Sequence, residues 1–186
     1  MSVNLSGRTF EEPDLSDYLA ELVDMHGLVP GQLAVEVTER VLLDKVESAA
    51  RVLARFKEIG VPLLIDDFGT GYSSLAYLHR FPFDVLKIDK SFVLPLATEE
   101  AKIGLVEGVV SLSHVLEMKT VAEGVESERH AEILRAMGCD YGQGYLFARP
   151  APIGEALRLL REGLTTWVPP RTPQQPLRFV APSPRS

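Results

Sequence analysis

Apolar residues recur along this chain so that short strand-like runs alternate with amphipathic helices. An alternating segment, Val3 to Leu5, comes first. A helix is predicted over about Asp14 to His26, with Leu15, Leu19 and Leu22 on one face, and Gly27 and Pro30 end it. Leu33 to Val37 reads as a strand. Val46 to Ile59 reads as a helix, because Val46, Ala49, Ala50, Leu53, Phe56 and Ile59 recur at helical spacing and Gly60 stops it. The pattern then predicts a strand over Val61 to Ile65, a short helix over Ser73 to His79, and a strand over Phe83 to Ile88. A longer helix over Glu100 to Leu116 and a brief strand over Thr120 to Ala122 follow. The series ends with a helix over Glu128 to Met137, a strand over Tyr141 to Phe147 and a helix over Gly154 to Arg161.

Strands alternating with helices at roughly 30-residue spacing imply parallel β/α units. The right-handed crossover rule leaves an open doubly wound sheet or a (β/α) barrel. No Gly-x-Gly-x-x-Gly follows the first strand, which weakens the dinucleotide-binding form of the open sheet. From Thr165 the character changes: Pro169, Pro170, Pro173, Pro176, Pro182 and Pro184 crowd a stretch with little periodic apolar content. Residues 165–186 are expected to be a disordered Pro-rich tail, with Trp167 and Phe179 as candidates for local docking, and residues 1–164 to form the folded domain.

Composition narrows the function. A chain of 186 residues with 46% hydrophobic content suits one domain with a sizeable core. A net charge of -7 argues against holding a nucleic acid polymer or an anionic membrane by charge alone. It is compatible with a small anionic ligand held through metal ions, which reverse the local field. The single cysteine, Cys139, forms no internal disulfide and reads as a small buried hydrophobe. No apolar run reaches the ~18 residues of a membrane span, and the first ten residues lack a signal-peptide pattern, so a reducing cytoplasm is the expected setting.

Polar residues stand at the strand ends: Asn4, Glu36, the pair Asp66 and Asp67, Lys87 and Asp89, Glu123 and Glu126, and Gln143. In parallel β/α folds the strand C-termini share one rim, where active sites lie. Two carboxylates ~4 Å apart repel by about 4 kcal/mol at an effective dielectric of ~20. Lys87 alone does not balance Glu36, Asp66, Asp67 and Glu123, so protons or metal ions must supply the remainder. Oxygen-only donors favour Mg²⁺ or Mn²⁺ over Zn²⁺. Any one of these residues also reads as a solvated carboxylate at a strand end; the set together reads as a metal site. The loop from Asp67 to Ser74, with Gly69 and Gly71, suits either a phosphate cradle or a tight turn into a helix N-cap. His26, His79, His114 and His130 form no metal-type pair and read as structural, and no Gly-x-Ser-x-Gly or Cys/His arrangement signals a covalent nucleophile.

Taken in order, Val3-Asn4-Leu5-Ser6, Glu36-Val37-Thr38-Glu39, Asp66 to Ser74, Lys87-Ile88-Asp89, Ala122-Glu123-Gly124-Val125-Glu126 and Gln143-Gly144-Tyr145-Leu146-Phe147 resemble successive motifs of the EAL domain, the family of bacterial cyclic-di-GMP phosphodiesterases. Each motif is weak alone; the ordered set, from Val3 to about Leu160, is specific. The resemblance implies a modified TIM barrel that hydrolyses cyclic di-GMP to the linear dinucleotide with two divalent ions. It implies that Asn4, Glu36, Asp66, Asp67 and Glu123 bind the metals or hold water on them. Lys87 contacts the attacking water or the phosphate, Gln143 orients the water network, and Glu126 tethers the loop after Asp67, which contributes to dimerisation. The partners so implied are cyclic di-GMP, a second copy, and a GGDEF or sensory domain.

The same resemblance places two further strands before Val3, the second carrying a Glu-Ala-Leu motif whose glutamate is a metal ligand and a downstream arginine that contacts phosphate. A full (β/α)₈ barrel takes ~250 residues. The expected fold is therefore an incomplete TIM-like barrel with about six of eight strands, two open edges and an incomplete ion site. Three functions follow from these observations: the phosphodiesterase or its C-terminal part, a non-catalytic module of the same fold that binds cyclic di-GMP or a protein, and another metal-dependent barrel enzyme of the enolase type. The motif order disfavours the third.

Overall fold

The computed structural model describes residues 1–44, 46–69, 78, 80–162 and 178–179. Apart from Leu78, the helix expected over Ser73 to His79 lies outside the described residues, with most of the loop before it; so does the Pro-rich stretch, apart from Arg178 and Phe179. The chain divides into two compact units, Met1–Lys87 with Leu116–Met118, and Ile88–Val115 with Lys119–Ser186.

The first unit runs β1 (Ser2–Leu5), α1 (Leu15–Met25), β2 (Ala34–Thr38), α2 (Glu39–Asp44), α3 (Val46–Glu58), β3 (Leu63–Phe68) and β4 (Val85–Ile88), the last residue of β4 falling in the second unit. β1, β2 and β3 pair in parallel, and the register aligns Asn4 with Glu36 and Glu36 with Leu64. β2 and β3 read as near-continuous runs because both faces are covered: Val35, Val37, Leu63 and Ile65 are buried on one face, Glu36 and Leu64 on the other. α3 turns Ala49, Leu53 and Phe56 inward at helical spacing, and Gly60 ends it at φ 83°. β3 starts two residues later than expected and continues through Asp66 and Asp67 to Phe68. α2 was not expected. Its short apolar run follows β2 without a break, and periodicity does not separate a short helix from a strand extension.

The second unit holds α4 (Lys90–Val93), α5 (Glu100–Val115), β5 (Lys119–Glu123), α6 (Glu128–Ala136), β6 (Tyr141–Gln143), α7 (Ile153–Glu162) and β7 (Arg178–Phe179). β5, β6 and β7 pair in parallel. The expected strand over Tyr141 to Phe147 stops at Gln143, because the chain turns there: Phe147 and Ala148 both donate to the carbonyl of Gly144. β7 is a pairing that carries no side-chain pattern of its own, within the stretch expected to be a disordered tail. Among the described residues no helix is long and apolar enough to cross a membrane.

One device appears in both units. Asp84, just before β4, accepts the amide of Leu63 at 2.8 Å and an ammonium bond from Lys57. Asp140, just before β6, accepts the amide of Thr120 at 3.0 Å, the hydroxyl of Thr120 at 3.1 Å, Lys119 at 2.8 Å and His114 at 2.9 Å. Each aspartate ties the start of one strand to the start of the next. Burial pushes the Asp140 carboxyl up, but Lys119, His114 and Thr120 together outweigh it and hold the group below its ordinary range. A lowered pKa in the folded state stabilises the fold above the unfolded value and ceases to do so as pH falls through the folded one. The contribution of Asp140 is thus complete near neutrality and fades below about pH 4. Asp140→Asn is expected to cost about 1–3 kcal/mol at pH 7, measured by urea unfolding, and to cost progressively less in acid.

Candidate functional site

In the first unit the strand-end residues are set by register. Partners in a parallel pair project to the same face, and the next residue on that face lies two positions on. Asn4 and Glu36 therefore share a face with Leu64 and, two residues beyond it, Asp66. Lys87 of β4 meets them there: its ammonium donates to Glu36 Oε2 at 2.7 Å and lies 3.1 Å from Asp66 Oδ1. Glu36 is 3% exposed and Lys87 4%. Charges removed from water this fully are tolerated only when paired and hydrogen-bonded. Lys87 thus serves two carboxylates at once.

Asp67 leaves this face. Its φ of 55° is left-handed, a conformation that aspartate tolerates better than most residues, and its amide folds back onto Asp66 Oδ1 at 3.0 Å. Gly69 follows at φ 93°. The amide of Gly69 donates to Glu39 Oε2 at 3.3 Å, and Glu39 is buried. The motif around Glu36 includes Glu39, whose carboxylate is the one bonded to the amide of Gly69; the rest of the loop that Glu126 is expected to tether lies outside the described residues. The signal for Glu39 was a second acid three residues after Glu36, on the helix that leaves β2.

In the second unit Glu123 and Gln143 are register partners at the ends of β5 and β6 and share a face. The turn after each strand is bonded to the other. Val125 donates its amide to the carbonyl of Gln143, and Leu146 donates to the carbonyl of Val125, both at 3.0 Å. A Cβ on Gly144 would collide with the backbone N and O of Val125. Backbone cannot yield as a side chain does, so Gly144→Ala is expected to cost about 1–3 kcal/mol in thermal or urea unfolding. Asp89, also at a strand end, is used locally: its carboxylate caps α4 by accepting Ser91 N–H at 2.9 Å. The one Glu-Ala-Leu tripeptide in the chain, Glu155-Ala156-Leu157, lies in α7 and not at a strand end; Glu155 is exposed, 4.0 Å from Arg158.

Carboxylate and amide oxygens are the donors that a hard divalent cation takes. Among the described residues no three acidic, histidine or cysteine side chains are already gathered around a cation site. Within the first unit the cation that bridges Glu36 and Asp66 is the Lys87 ammonium.

The EAL domain family matches residues 1–150. Cyclic di-GMP phosphodiesterase NbdA of Pseudomonas aeruginosa is 38% identical over 161 residues, which are 87% of this chain and 21% of NbdA. The solved structure of the PaMucR phosphodiesterase in complex with c-di-GMP is 40% identical with a TM-score of 0.78, covering 83% of this chain and 63% of that one. The Klebsiella pneumoniae BlrP1 complex with manganese and cyclic di-GMP is 34% identical with a TM-score of 0.75, covering 81% of this chain and 38% of that one. The chain spans about a quarter of the length of the curated relatives it matches, 22% and 25% for two others. These matches establish an α/β fold of the EAL type.

Proposed function

Since the chain belongs to the EAL domain family, we propose that it acts in a phosphodiesterase that opens cyclic di-GMP to the linear dinucleotide. The observation that carries this reading is the buried lysine bonded to two strand-end carboxylates, Lys87 with Glu36 and Asp66. A structural ion pair needs one acid; a second acid on the same ammonium keeps negative charge in a place shielded from water. The reading also draws on NbdA, which bears the phosphodiesterase name, and on the c-di-GMP complexes of PaMucR and BlrP1.

In this reading Asn4, Glu36, Asp66, Asp67 and Glu123 would hold two Mg²⁺ or Mn²⁺ ions. Bound there, they would activate water and offset the charge that develops on the phosphoryl oxygens. The chain's own residues do the remaining work. Water attacks one phosphorus, its oxygen becomes bonded there, and the P–O bond to one ribose breaks as a proton passes to the departing oxygen. Lys87 holds the Glu36 and Asp66 carboxylates in place and presents positive charge to the phosphate or the incoming water. Gln143 donates and accepts hydrogen bonds that orient this water, with Glu123 beside it on β5. Glu39 keeps the turn after Asp67 fixed, and Glu126 is a second tether for the same loop.

A second copy, and a GGDEF or sensory domain, are the proposed protein partners; a MucR protein of Pseudomonas aeruginosa is named a bifunctional diguanylate cyclase and phosphodiesterase. A nucleotide messenger made inside the cell puts the domain in the cytoplasm. The deciding experiment is chromatography of cyclic di-GMP incubated with the protein and Mn²⁺. The linear dinucleotide is expected, with no product from Glu36→Gln or Asp66→Asn. Equal product from the substituted proteins would remove the site assignment.

A further inference from the structure

We infer that His130 is a positioning residue for the acidic turn after β5, and that it acts only as a neutral imidazole. Ser127 caps α6 by accepting His130 N–H at 3.2 Å. The His130 side chain then reaches back, and its Nδ1 accepts the main-chain N–H of Glu126 at 3.3 Å. In a capping box a glutamate or glutamine three residues after the cap fills this role. Here an imidazole fills it, reaching one residue further back. The substitution has a chemical consequence. A carboxylate or amide oxygen accepts throughout the neutral range, whereas Nδ1 accepts only while the ring proton sits on Nε2 and no second proton is bound. His130 is 6% exposed, so water does not readily replace the lost acceptor.

The amide it holds ends a short series of bonds. Val125 donates to Gln143 and Leu146 donates to Val125, with Gly144 allowing the close approach. Glu123, Glu126 and Gln143 thus belong to one hydrogen-bonded body, and His130 fixes its Glu126 end. The charged groups nearest in sequence are Glu126 in the turn and Glu128, Arg129 and Glu132 on α6, all exposed. The element with the most contact to α6 is the 3-10 turn Leu94–Ala97, which carries no titratable side chain. The bearing of this bond on catalysis rests on the phosphodiesterase reading; the bond itself does not.

The test is amide exchange by NMR on the full 186-residue chain, across the range where imidazoles titrate. Protection of the Glu126 amide, corrected for the intrinsic pH dependence of exchange, is expected to fall about five- to tenfold as the ring gains its proton. His130→Gln keeps an acceptor at every pH and is expected to remove that step; His130→Leu is expected to show low protection throughout. A ring that never titrates, or a flat profile while it does, overturns the dependence on protonation. Protection in His130→Leu equal to that of the unsubstituted chain overturns the positioning role. If His130→Leu fails to fold, His130→Gln decides, because the step must vanish in it. The readout is the bond and not turnover, so failure here leaves the phosphodiesterase reading standing.

Discussion

Lys87→Met is expected to lower the stability of the chain by about 3–5 kcal/mol. The substitution keeps the length of the side chain and removes its charge, leaving the buried Glu36 and the half-buried Asp66 beside one another without their shared ammonium. Removing one partner of a buried ion cluster costs far more than the cluster contributes in net terms, because the desolvated charges that remain have no compensation. Two responses separate this cause from simple loss of packing. Bringing the two carboxylates together unpaired raises their proton affinity, so the variant is expected to regain stability as pH falls toward 5. Millimolar Mn²⁺ is also expected to restore part of the loss, with the divalent ion standing where the ammonium was. Urea unfolding at two pH values, with and without Mn²⁺, measures all three effects. A loss under ~1 kcal/mol, indifferent to pH and metal, would show that the cluster is not the electrostatic centre of the first unit.

The second large effect concerns turnover. The 186 residues by themselves are expected to hydrolyse cyclic di-GMP at least ~10–100-fold more slowly than the same residues preceded by the two β/α units that open the domain in the family resemblance. Even losses behind the first ligand shell cost that much in metal affinity or activity. The resemblance puts a ligand carboxylate in those units, and a form without them would lack that donor and part of the charge that would hold the ion. The only Glu-Ala-Leu tripeptide present lies on an exposed helix and does not substitute for it. β1 pairs with β2, and Val3 and Asn4 on it are exposed, so the shorter form is also expected to associate as concentration rises. Parallel turnover assays and light scattering on the two forms measure both effects. Equal rates would show that the preceding units are dispensable and that the ligand set proposed above is complete without them.

Much of this protein was legible before any coordinates. The alternation of β2, α3 and β3 follows from periodicity, since Ala49, Leu53 and Phe56 recur at helical spacing between two apolar runs. The chemistry of the candidate site was legible for a related reason. Asp66 directly after an apolar run, Glu36 inside another and Lys87 inside a third are expensive placements that a fold keeps for a use. The order of these residues along the chain also gave the family before the structural matches did.

Tertiary structure decided what depends on two distant segments meeting. That one ammonium serves both Glu36 and Asp66 follows from the side-by-side placement of strands 51 and 21 residues apart from Lys87. That the turn after Asp67 is held by Glu39 depends on where α2 begins, and no local pattern separates that helix from a longer β2. β6 ends at Gln143, not Phe147, because Gly144 comes to rest against the backbone of Val125, some twenty residues earlier in the chain. Periodicity reports which side of an element is buried, and residue type reports what chemistry a side chain can do. Neither reports which partner a buried polar group finds, because that is set by register between strands that the chain brings together only on folding.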